Sequence, residues 1–233
     1  MTMNTMTMKQ IPEDERPYEK CLTMGPGSLS DAELLSVLLR SGSRGENVHS
    51  LARRLLDVNA PAGLTGLYHM SLRDMMQLRG IGRVKAVQLQ CVGELSRRMA
   101  REEARSSLSF SDPSSVAEYY MEAYRHADEE HVLVVMLDSR GHLIAEEEIS
   151  KGTVRAAAVS PREIFICALK HRAVSVILLH NHPSGDPSPS DEDVELTRAA
   201  ASAGSMLGIR LLDHIIIGDQ CSFSFRTVLG DLG

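Results

Sequence analysis

His180-Asn181-His182-Pro183-Ser184-Gly185-Asp186-Pro187-Ser188-Pro189-Ser190-Asp191-Glu192-Asp193 follows directly on the apolar run Val176-Ile177-Leu178-Leu179. The run reads as a buried strand over residues 174–180. Residues two apart on a strand face the same side, about 6.5–7 Å apart, so His180 and His182 can converge on one ion at about 2 Å each. The Pro/Gly-rich loop stops the strand and lets the chain double back. Ser190 then caps a helix over 191–207 and sets Asp193 in its first turn, aimed at the same ion. Two neutral nitrogens and one carboxylate leave one position of a zinc ion open, the arrangement of a catalytic rather than a structural site. Such an ion makes hydroxide available near neutral pH. An isolated His-x-His is more often a surface pair, and Ser-x-x-Asp alone is an ordinary helix cap. Their order, with a strand before them and a helix after, is what points to a metal.

Around this stretch the second half of the chain reads as a mixed sheet with helices. Residues 132–137 form a β-rich run, Asp138-Ser139-Arg140-Gly141 a turn and residues 143–149 a returning strand, together a hairpin. Residues 161–170 read as a helix and 211–217 as a closing strand. Upstream, composition shifts at Glu102-Glu103-Ala104-Arg105-Ser106-Ser107, and Ser111-Asp112-Pro113-Ser114-Ser115 reads as a loop before another helix. We place a boundary there, giving a disordered tail over 1–14, a helical module over 15–105 and an α/β domain over 106–233.

The first half reads as helices. Ser30-Asp31-Ala32-Glu33 is a capping box opening one helix, and Val48, Leu51, Ala52, Leu55 and Leu56 carry the helical spacing of a second. A third starts at Ser71 with Asp74 three positions on. A long fourth runs from Arg83 towards Arg105, with Val84, Val87, Cys91 and Leu95 as its expected apolar stripe. Between these two lies Leu78-Arg79-Gly80-Ile81-Gly82-Arg83-Val84-Lys85-Ala86. Gly80 and Gly82 permit a turn that approaches a phosphate closely, and the following helix offers backbone N–H groups and a positive dipole end. Arg83 and Lys85 add charge, with Arg79 as a further candidate. Such contacts hold a nucleic-acid backbone without reading bases. The competing reading is a tight helix–helix turn that simply needs glycine.

Composition bounds these readings. The chain has 233 residues, 43% hydrophobic and 24% charged, close to ordinary globular values. Aromatics make up 4%, with no Trp, which leaves little material for stacking on single-stranded nucleic acid. A net charge of −6 argues against the whole chain binding a polyanion, although residues 70–105 hold eight basic residues against four acidic. Cys21, Cys91, Cys167 and Cys221 form no Cys-x-x-Cys pair, so neither a thiolate zinc site nor a disulfide framework is indicated. The first ten residues lack the apolar core of a signal peptide and no run is long enough to span a membrane. A soluble cytoplasmic protein is expected, with oligomeric state unread.

The pattern His180-x-His182-Pro183, followed by Ser190 and Asp193, resembles the JAMM (JAB/MPN-type) metalloprotease motif. Glu130-His131, Gly152-Thr153-Val154, Pro161-Arg162-Glu163 and Leu212-Asp213-His214 are similar to the bacterial RadC branch. So are Glu15-Arg16-Pro17, the stretch from Leu29 to Leu35, and Leu78-Arg79-Gly80-Ile81-Gly82. The resemblance implies a two-domain α/β protein: an all-α helix-hairpin-helix module, then a JAMM-type mixed sheet flanked by helices. It implies one Zn2+ per chain held by His180, His182 and Asp193, and a Ser190 hydroxyl that donates to the oxyanion. It also requires a Glu as general acid and base on an earlier strand. Glu130 occupies the corresponding place, with Glu146, Glu147 and Glu148 on the second hairpin strand as alternatives. His214 is expected to be structural or to bond near the site, and His131 and His171 to be exposed. Two functions stay open: a zinc-dependent hydrolase of peptide or isopeptide bonds, tethered or not to DNA, and a DNA-associated accessory protein whose zinc domain is a non-catalytic scaffold. A phosphodiesterase fits less well, because one two-His, one-Asp site lacks the second metal common in that chemistry.

Overall fold

The structure, a computed structural model, describes residues 12–58, 63–105, 108–152 and 159–232. Thr153, Val154, Ser106, Ser107 and the first eleven residues of the expected tail lie outside the described residues. The chain divides into two compact units, Met1–Ser96 and Arg97–Gly233, and the division falls inside one helix rather than at the composition shift that follows it.

The first unit is helical: α1 (Pro17–Met24), α2 (Asp31–Leu39), α3 (Val48–Asp57), α4 (Leu72–Gln77) and the start of α5 (Arg83–Arg105). The caps account for the starts. Ser30 and Glu33 bond each other's backbone reciprocally at the head of α2, Asn47 accepts from Ser50 N–H at α3, and Ser71 from Asp74 N–H at α4. Leu35, Leu39, Leu51, Ala52, Leu55 and Met75 form the core, with Ile81, Ala86 and Leu89 packed into it. The expected stripe of α5 is corrected here. Val84 is 72% exposed and Leu95 58%, with Val87 and Cys91 also on the outside. The buried face is the shorter Ala86 and Leu89, where a small residue lets the helix approach the core closely.

The second unit is built on a five-stranded sheet of order β2-β1-β3-β4-β5, comprising β1 (His131–Leu137), β2 (Leu143–Lys151), β3 (Ser175–Asn181), β4 (Arg210–Ile217) and β5 (Ser222–Ser224). β1 pairs antiparallel with β2 and β3, β3 parallel with β4, and β4 antiparallel with β5. α6 (Pro113–Tyr124) covers one face, and α7 (Pro161–Lys170) and α8 (Asp191–Leu207) the other. Alternation assigns the faces. Val132, Val134, Met136, Val176 and Leu178 meet Ile164, Phe165, Leu196 and Ala200 of α7 and α8. Leu133, Val135, Leu137, Ile177 and Leu179 meet Val116 and Tyr120 of α6. Burial on both faces is why β1 and β3 are continuously apolar instead of alternating. α6 starts earlier than the expected loop allows, because Asp112 caps it through Ser114 N–H and Pro113 takes its first position. A short α9 (Phe225–Leu229) follows β5. No helix among the described residues is long and apolar enough to cross a membrane.

Candidate metal centre

The centre lies where β3 ends. His180 pairs in register with Val132 of β1 and Ile216 of β4, so it sits in the middle of the sheet and is buried. His182 N–H donates to Ile217 O at 2.9 Å, which carries the parallel pairing one step beyond β3. The chain then turns. Gly185, at φ +82°, donates to His182 O at 3.0 Å, and its own carbonyl accepts from Asp219 N–H at 2.8 Å. The β4–β5 turn passes so near this loop that a Cβ on Gly218 would lie 2.4 Å from Gly185 O, which only glycine permits. Ser190 caps α8, accepting from Asp193 N–H at 3.2 Å while Asp193 Oδ2 accepts from Ser190 N–H at 2.8 Å. This capping box swings the Asp193 carboxylate back over the head of its own helix, toward the histidines.

The three side chains meet. His180 Nε2 stands 3.0 Å from His182 Nε2 and 3.2 Å from Asp193 Oδ1, and His182 Nε2 lies 3.5 Å from Asp193 Oδ2. Donor atoms of a tetrahedral zinc at about 2.0–2.1 Å stand about 3.3–3.4 Å from one another. Asp193 is 1% exposed, and its Oδ1 is buried without a hydrogen-bond partner. A buried carboxylate oxygen left this way is costly unless a cation satisfies it. The donor set and its spacing therefore fit one divalent ion with a preference for nitrogen and oxygen ligands.

The electrostatics follow from burial and proximity. Burial alone would raise the Asp193 carboxyl, but the adjacent His180 and His182, with the Ser190 hydrogen bond, hold it well below the ordinary carboxylate range. The same contact with Asp193 raises His182. Glu130, half-buried immediately before β1, is raised by burial; the charges of His180 and His182 offset part of that rise and Asp193 adds to it. Glu130 is thus within electrostatic reach of all three residues. Its backbone is fixed from both sides, since Asn181 Nδ2 donates to Glu129 O at 3.1 Å and Asn181 Oδ1 accepts from His131 N–H at 2.9 Å.

The three alternative glutamates have other partners. Glu146 accepts from Tyr120 and Arg101, Glu147 from Lys170 and His171, and Glu148 bonds His131. Those contacts also correct the expectation that His131 and His171 are exposed, for both are partly buried against β2. The Ser190 hydroxyl donates to Asp193 Oδ2 at 2.7 Å. It has one proton, so donating to an oxyanion would require it to turn away from Asp193.

Three residues near the centre escaped the sequence reading. Asn181 is one, and Thr197 and Asp213 are the others. Thr197 stands four residues after Asp193, on the same face of α8, and that spacing was the available signal. Asp213 accepts from His214 N–H, Arg226 N–H and the Ser224 hydroxyl, tying β4 to β5 and α9.

In the helical unit, Gly80 has φ +90°, and a Cβ there would lie 2.7 Å from Ser43 Cβ. Lys85 Nζ donates to Gly80 O and Gly42 O at 3.1 and 3.2 Å, and also to Ser41 O. Arg79 donates to Arg44 O at 2.6 Å. Gly82 and Arg83 remain exposed, and a Cβ on Gly82 would meet nothing within 4 Å.

Comparison with known proteins agrees with both halves. A family model described as a RadC-like JAB domain matches residues 110–230, and one described as UPF0758 N-terminal matches residues 8–87. A UPF0758 protein of Caldanaerobacter subterraneus subsp. tengcongensis is 42% identical over 219 residues, covering 94% of this chain and 93% of its own. One of Clostridium novyi is 40% identical over 223 residues, 96% of this chain and 97% of its own. One of Geobacillus kaustophilus is 41% identical over 219 residues, 94% and 96% respectively. Near-full-length similarity together with the two matched regions means that the chain belongs to the UPF0758 family and carries a RadC-like JAB domain.

Proposed function

We propose that this chain is a zinc-dependent hydrolase of peptide or isopeptide bonds, with His180, His182 and Asp193 as the metal ligands. The observation that carries the reading is a buried Asp193 Oδ1, without a hydrogen-bond partner, 3.2 Å from His180 Nε2, which itself lies 3.0 Å from His182 Nε2. When bound there, zinc supplies Lewis acidity and lowers the pKa of water towards about 7. Glu130 is the general base and then the general acid. Its raised carboxyl brings it nearer the operating pH of such a base, and Asn181 holds the peptides on either side of it. Glu130 takes a proton from the attacking water and returns it to the leaving nitrogen. The Ser190 hydroxyl keeps Asp193 oriented and, once turned away from it, is the nearby donor for a developing oxyanion.

Protein purified without added zinc should carry about one zinc per chain, and His182→Ala should lose most of it. Glu130→Gln should keep the metal and lose turnover of peptide or isopeptide substrates by at least about 100-fold. A wild type that takes up no metal, even after incubation with zinc, sinks the reading.

The alternative reading, a DNA-associated protein with a zinc scaffold, draws on the exposed Gly82 and Arg83 at the head of α5 and on the local basic excess. Gly80 and Lys85 are already committed to packing and to backbone carbonyls, so Gly80→Ala would disturb the fold as well as any contact. Arg83→Ala is the cleaner probe. It should weaken duplex binding uniformly across sequences and reduce the salt slope by about 1. No duplex binding by the wild type at low salt removes this alternative.

A further inference from the structure

We infer that Thr197 and His214 form a one-way hydrogen-bond relay that holds a proton on His180 Nδ1 and turns its Nε2 toward His182 and Asp193. The direction follows from what each atom can do. Asp193 O is a carbonyl and can only accept, so Thr197 Oγ1, at 2.6 Å, must donate to it. That uses the only proton on Thr197. His214 Nδ1 lies 2.6 Å from the same oxygen and must therefore be the donor in that contact.

His214 is fully buried, with its ring lying flat on Phe225 at 5.0 Å between centroids and 10° between planes. Among the described residues its ring nitrogens bond Thr197 and His180, neither of them a carboxylate. The adjacent Asp213 carboxylate is taken up by two backbone N–H groups and the Ser224 hydroxyl. An imidazolium in this pocket would be a buried charge with no carboxylate bonded to it, which is strongly disfavoured. With its one proton on Nδ1, His214 has a bare Nε2. His180 Nδ1, at 2.9 Å, must then donate to it. That holds a proton on His180 Nδ1 and leaves Nε2 as the ring atom facing His182 and Asp193.

Asp193 Oδ1 lies 3.2 Å from His180 Nε2. His182 is oriented by a simpler route, since its Nδ1 donates to Asp186 O at 2.8 Å. The relay begins on the backbone of one proposed ligand and ends on the ring of another, and so couples α8 to β3 through a residue of β4. Thr197 and His214 are positioning residues, acting through His180.

The tautomers themselves do not depend on the metal reading, although their use does. Long-range 1H–15N correlation spectra of the full chain, stripped of metal, should show both His180 and His214 protonated on Nδ1. His180 without a proton on Nδ1 would overturn the relay. Zinc affinity, measured by chelator competition, should fall about 10- to 100-fold in Thr197→Val. It should return to within a few-fold of wild type in Thr197→Ser, which restores the hydroxyl. An unchanged affinity in a folded Thr197→Val overturns the proposal; if that variant does not fold, the wild-type spectra and Thr197→Ser decide it. A wild type with the expected tautomers that binds no zinc would refute the metal reading and leave the relay standing.

Discussion

Asn181 sits between the two histidines, and strand alternation turns its side chain away from the face that carries His180. Buried at the end of a largely apolar strand, it gives one amide atom to each peptide flanking Glu130. Asn181→Ala would leave Glu129 O and His131 N–H without those partners, so we expect a stability loss of about 1–3 kcal/mol in denaturant unfolding. Because the ligands are untouched, zinc content should stay at the wild-type level. In the hydrolase reading, kcat should fall while KM changes little, since the general base and not the binding surface is displaced. A variant that loses zinc together with stability would show that Asn181 supports the whole site instead of Glu130. Residue-level logic of this kind was only partly legible in the sequence. His180, His182, Ser190 and Asp193 could be read because their chemistry depends on short spacings along one stretch of chain. Asn181 and Thr197 could not, because their partners lie on other strands or are backbone atoms.

Among the elements, α2 shows how a local code becomes measurable. Glu33 closes the capping box on Ser30 and also pairs with Lys20 of α1 at 3.0 Å. The backbone bond from Ser30, with the Lys20 contact, holds its carboxyl down to about 2. A carboxyl lowered on folding stabilises the native state above the ordinary range near 4.5, and that contribution disappears as pH falls toward about 2. Glu33→Gln should therefore be less stable than wild type by about 0.5–1 kcal/mol at pH 6–7, allowing for solvent screening. The difference should close by pH 2 to 2.5 in pH-dependent unfolding, and a gap independent of pH would mean that shape rather than charge matters. Elements with such caps were legible: α2, α4 and α8 begin where Ser announces them. The buried side of α5 was not. Its sequence carries two competing apolar stripes, and the choice between them was made by Ile81 and the Gly80 turn packing against Leu51 and Ser43, which is tertiary information. β5 and α9, of three and five residues, are too short for periodicity to register and are held by Asp213 from a distant strand.

For the whole molecule, the two compact units make a prediction that neither residues nor elements make alone. Each has its own buried cluster, so a ligand that binds one need not stabilise the other. The proposed zinc ligands come from β3, the loop after it and the head of α8, and the Thr197–His214 contacts extend that set to β4. A bound ion therefore cross-links the middle of the sheet to the helix that covers it. Zinc at about 100 times its dissociation constant should add about 2.7 kcal/mol to the unfolding free energy of that unit. Hydrogen exchange should report this as slower opening of amides in β3, α8 and β4, with those of α2 and α3 unchanged. His182→Ala should abolish the zinc-dependent part of the protection. Equal slowing in both units would mean either that they unfold as one or that zinc binds elsewhere, and the variant separates the two: loss of the effect in His182→Ala keeps the site and removes the independence of the units, while its persistence removes the site.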